Sequence, residues 1–144
     1  MPSRASAWCA LALIFALYVV GFVSRGVLRH LVQTAPVWLI VYFGWRRSES
    51  TKWMAIPCFV FWLFLMSLIW LFLMGWSHLI SGTFSPIEIA MTLVVGATAI
   101  AGLVDALRTS TSVRVFQALA ISAAFLLVQG ALFFVSFLPA IAHD

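Results

Sequence analysis

Charge is scarce in this chain. Lys, Arg, Asp and Glu make up 8% of its 144 residues, and hydrophobic residues make up 65%. A soluble domain carries about 25% charged residues, and no fold this small could hide so much apolar surface from water. A bilayer removes the need to hide it. Acidic residues are the scarcest, four against eight Lys and Arg. No serine-nucleophile motif, phosphate loop or HExxH is present, so enzymatic chemistry is not expected. The net charge of +4 does not mark a nucleic-acid partner, because the basic residues sit in short loops between apolar segments, where they set membrane topology.

Other absences narrow the class. Nothing alternates polar and apolar over about ten residues, as the strands of a membrane barrel do. Two cysteines, Cys9 and Cys58, lack C-x-x-C spacing and read as small buried hydrophobes. The first apolar stretch is long for a signal peptide and no A-x-A site follows it, so it reads as an uncleaved helix. No linker is long enough to fold alone and no repeat is visible. Residues 1–144 are expected to form a single multi-pass transmembrane domain with no soluble domain.

Five apolar segments remain: Ala5 to Val23, Val27 to Trp45, Trp53 to Trp76, Pro86 to Leu107 and Val113 to Leu138. They predict an all-α integral membrane protein, a small bundle of about five transmembrane helices. Trp53 and Trp76 lie about 35 Å apart on a helix and suit the two interfaces of a bilayer. The aromatic run between them predicts a large lipid contact, with Gly82 as the stop that follows. Small residues spaced along the first segment (Ala12, Ala16) and the fourth (Thr98, Gly102, Ala106) predict close helix packing at the centre. Ser85, Pro86 and Glu88 read as a capping box opening the fourth segment. Asp105 stands three residues before Arg108 and predicts an ion pair on one helix face. Gln129, deep in the last segment, requires an interhelical partner.

The segment SRGVLRHLVQTAP, residues 24–36, is the polar exception. With five spans, Arg25, Arg29 and Gln33 align on one helix face, with His30 and Thr34 beside them, and Pro36 loosens the helix. These groups suit an anion or lipid headgroup, for which arginine offers paired donors; snorkelling to the interface is the simpler reading. Alternatively segment 27–45 re-enters, leaving four spans. In both versions the positive-inside rule puts loops 46–52 and 108–114 in the cytoplasm of a plasma (bacterial inner) membrane, with the C-terminus outside. His30, His78 and His143 are weak metal or haem candidates, because no ligand spacing supports them. No metal site and no cofactor is expected.

Three functions fit. The first is a non-catalytic accessory or assembly subunit of a larger membrane complex, partnered by the bilayer and by other membrane subunits or itself. The second is a small transporter or binder of a lipid or other anionic ligand, using Arg25 and Arg29. The third is a redox subunit using the histidines.

Overall fold

The computed structural model describes residues 3–142. Those residues form seven helices and no strand: α1 (Ala5–Val23), α2 (Val27–Thr34), α3 (Val37–Trp45), α4 (Ser50–Leu73), α5 (Pro86–Arg108), α6 (Val115–Val135) and α7 (Pro139–Ala142). Four of them, α1, α4, α5 and α6, are long and apolar enough to cross a membrane.

The second apolar segment is broken. Pro36 offers no N–H to close the helical turn, and Ala35 N–H and Leu39 N–H reach back only three residues, to Val32 and Pro36. Ala35 and Pro36 nevertheless keep α-helical dihedrals, so the chain bends at this point without reversing. Together α2 and α3 run antiparallel to α1 along its full length. Gly21 lies against His30. Tyr18 OH receives Trp38 Nε1–H at 3.2 Å and lies 3.3 Å from Thr34 Oγ1. At the far end the rings of Trp8 and Trp45 are 5.0 Å apart.

The core is built around α1. Its buried face carries Ala7, Ala10, Leu13, Ile14 and Leu17, and it packs most extensively on α5. Ala16, Gly102 and Ala106 are buried, while Ala12 and Thr98 are half-buried. Gly102 serves α4 rather than α1: a Cβ here would collide with the ring of Phe59. Gly44 admits Ala7 in the same way, its added Cβ falling 2.9 Å from Ala7 Cβ.

Two expectations about the third apolar segment are corrected. The helix starts at Ser50 and stops at Leu73, so Trp76 lies beyond it. The stop is Gly75, not Gly82. Gly75 takes φ 75°, and Trp76 N–H reaches back to the Leu71 carbonyl at 2.9 Å, a Schellman closure that glycine adopts without a Cβ clash. α4 lies between α5 and α6, and 28% of its apolar stretch is buried inside the bundle, against 17% for α6.

The peripheral α6 is held by polar contacts beside two prolines, Pro57 within α4 and Pro36 between α2 and α3. Ala118, Ser122, Phe125, Gln129, Leu132 and Ser136 follow alternating four- and three-residue steps along its inner face. Pro57 leaves the Trp53 carbonyl without its helical donor, and Ser122 Oγ donates to it at 2.8 Å. Gln129 Nε2 donates to the Gln33 carbonyl beside the Pro36 break at 3.0 Å. Ser136 Oγ accepts from Gln33 Nε2 at 2.9 Å. Gln129 thus has the interhelical partner its depth requires.

At one end of the bundle the loops are tied by carboxylates. Asp105 does not serve Arg108. It accepts from Ser6 N–H at 3.0 Å, Ser6 Oγ at 2.7 Å and Ser3 Oγ at 2.7 Å, so it caps α1 from another helix, where free N–H groups favour an anion. Glu49 accepts from Ser112 N–H at 3.0 Å and Ser112 Oγ at 2.6 Å. These hydrogen bonds hold the Glu49 carboxyl below the ordinary carboxylate range. A lowered folded-state pKa stabilises the fold above the unfolded value, about 4.3. The contribution is lost as pH falls through the folded value. The melting temperature in detergent is therefore expected to fall in acid below pH 4.5, with a smaller fall in Glu49→Gln. Identical acid profiles for the two proteins would show that this carboxylate does not stabilise the fold.

Candidate functional site

A partly enclosed cavity of about 380 Å³ lies at the opposite end, between α1, α2, α4, α5 and α6 and the loop before α5. That volume falls in the range of small-molecule sites, about 300–1,000 Å³. Its deep wall is apolar: Leu17, Trp62, Leu65, Met66, Ile69 and Val95. Its polar wall holds Arg29, His30 and Gln33 from α2, and Glu88 and Thr92 from α5.

Local structure explains the placement of each group. Arg29, His30 and Gln33 occupy the face of α2 turned to the bundle. His30 and Gln33 are buried and Arg29 is half-buried. Gly21 lets α1 approach the His30 ring, where a Cβ would stand 3.2 Å from Nδ1. His30 Nδ1 lies 2.8 Å from the Gly26 carbonyl. A carbonyl only accepts, so Nδ1 carries a proton in this contact. Glu88 is fixed by the capping box: Ser85 N–H donates to its Oε2 at 2.7 Å, and Glu88 N–H donates to Ser85 Oγ at 3.3 Å. Pro86 opens α5 just after the cap.

Arg29 and Glu88 share the cavity but do not pair. Among the described residues Arg29 has no carboxylate partner, and its guanidinium stands 5.8 Å from the Phe137 ring centroid. A ligand carrying both charges could meet the unpaired Arg29 cation and the Glu88 carboxylate within one cavity.

Arg25 does not join this set. The α1 helix ends in a Schellman closure, Gly26 N–H to the Gly21 carbonyl at 2.9 Å, with Arg25 in the left-handed position at φ 56°. The helical stripe expected from Arg25 through Gln33 therefore starts only at Val27, and Arg25 is exposed outside the cavity wall. Exposed His78 lies in the loop after α4 and His143 lies outside the described residues. Among the described residues no group of three or more His, Cys, Asp or Glu could hold a metal ion. Both cysteines are free, Cys58 buried and Cys9 half-buried.

The contribution of Glu88 was not legible in sequence. Its capping role is local and visible, whereas its place in the same cavity as Arg29 depends on α5 packing beside α1. No known protein family, curated protein or solved structure matches the chain.

Proposed function

We propose that this chain is a five-pass, non-catalytic membrane protein that binds an amphiphile with an anionic group in the cavity between Arg29 and the α4–α5 wall. One observation carries the reading: a cationic and hydrogen-bonding rim from α2 stands over an apolar floor in one cavity of ligand size. Arginine supplies paired donors to a phosphate or carboxylate, and the floor accepts hydrocarbon. The fifth crossing is the bent α2–α3 pair, supported by its course along the whole of α1. Arg4, Arg46, Arg47, Lys52, Arg108 and Arg114 then share one end, which the positive-inside rule assigns to the cytoplasm of a bacterial inner membrane. The cavity faces the outer side. The experiment is retention of native lipid through purification, compared between wild type and Ile69→Trp, whose added ring fills the apolar floor.

A second reading, an accessory subunit of a membrane complex, is favoured by α6. Its outer face exposes Ala120, Ala123, Ala124 and Ala131, and Gly130 has open space around it. Small residues of this kind admit another helix. A stoichiometric membrane protein retained in mild detergent, and lost from Ala124→Trp, would support this reading; a chain that purifies alone would remove it.

A further inference from the structure

We infer that the cavity selects a phosphate ester bearing a primary ammonium group, supplied as the headgroup of a zwitterionic phospholipid of the ethanolamine type. The inference rests on the amphiphile-binding reading above and adds the chemistry of the headgroup. An anionic ligand alone needs only Arg29. The same wall also presents Glu88, which would repel such a ligand. Arg29 and Glu88 line one cavity without pairing, and together they match a ligand carrying both charges.

Each charge is available for this role. Arg29 has no carboxylate partner among the described residues, and its planar guanidinium fits phosphate oxygens. Glu88 uses Oε2 to accept from Ser85 N–H, and Oε1 meets no donor among the described residues. A primary ammonium has three N–H donors, one of which that oxygen can accept. A quaternary ammonium has none, and a glycerol headgroup has no positive charge. A lipid source is favoured over a free phosphate ester because Trp62, Leu65, Met66 and Ile69 continue the cavity below the charges. A two-chain lipid exceeds about 380 Å³, so the cavity holds the headgroup and the first part of a chain while the remainder lies outside.

The test is competition for the full-length protein in nanodiscs containing phosphatidylethanolamine, phosphatidylcholine or phosphatidylglycerol, with bound lipid counted by native mass spectrometry. Phosphatidylethanolamine is expected to be preferred about tenfold over each of the others, the scale of one charge-assisted hydrogen bond. Glu88→Gln keeps an acceptor for the capping box and is expected to lose that preference. Equal binding of the three lipids by wild type would overturn the inference and leave the amphiphile reading standing. A preference that survives Glu88→Gln would overturn it likewise. No lipid retained by wild type would overturn both. Displacement of the lipid by soluble glycerophosphoethanolamine at equal concentration would overturn the membrane source.

Discussion

Gly102→Ala is expected to destabilise the protein by about 2 kcal/mol, within the range for overpacking a filled core. The sign is informative, because alanine is the better helix former by about 1 kcal/mol. At an open position Gly→Ala should therefore be neutral or stabilising. Gly96 and Gly130 are such positions, with no atom within 4 Å of an added Cβ. At Gly102 the new methyl meets the ring of Phe59, which is fully buried and has nowhere to go. Three single variants, compared by melting temperature in one detergent, check this. Gly102→Ala should melt lower, while Gly96→Ala and Gly130→Ala match or exceed wild type. Adding Phe59→Leu to Gly102→Ala should cost less than the two changes measured separately, because they share one contact. A Gly102→Ala protein as stable as the Gly96→Ala control would show that α4 and α5 do not approach as described.

Asp105→Ala is expected to cost about 2 kcal/mol. Its carboxylate takes three hydrogen bonds from Ser3 and Ser6 at the start of α1. Ser6 is buried, so truncation leaves its N–H and hydroxyl without a partner, at about 1–3 kcal/mol for an unsatisfied buried group. Asp105→Asn keeps an acceptor oxygen and should lose less than half as much. Arg108→Ala should change little. If Asp105 were paired to Arg108, Arg108→Ala would be nearly as damaging as Asp105→Ala. Equilibrium unfolding of the three variants in mixed micelles separates the two cases.

Segment bounds such as Ala5 to Val23, and the cap at Ser85 and Glu88, follow from runs and spacings within a few turns of chain. The end of α4 was misplaced because Gly75 and Gly82 are equivalent as residue types, and only the dihedrals distinguish them. The partner of Asp105 was missed because Arg108 is near in sequence whereas Ser6 is near only after α1 packs on α5. The anchoring of α6 had a readable signal: Ser122, Gln129 and Ser136 recur every seven residues beside two prolines in apolar segments, Pro36 and Pro57. Polar groups at that period in an apolar helix indicate an inward face with carbonyls to satisfy. The grouping of Arg29, His30 and Gln33 on α2 was legible from helical spacing. The cavity they line was not, because its floor and Glu88 come from α1, α4 and α5.

The central claim is that the cavity holds an amphiphile, and native mass spectrometry of wild type beside Ile69→Trp tests it most directly. Both proteins would be purified from the same membranes in mild detergent, and their melting temperatures in that detergent would establish that both are folded. The account predicts one lipid retained per wild-type chain and none on folded Ile69→Trp. Equal lipid retention by the two proteins, or a wild-type chain that carries none, would contradict it.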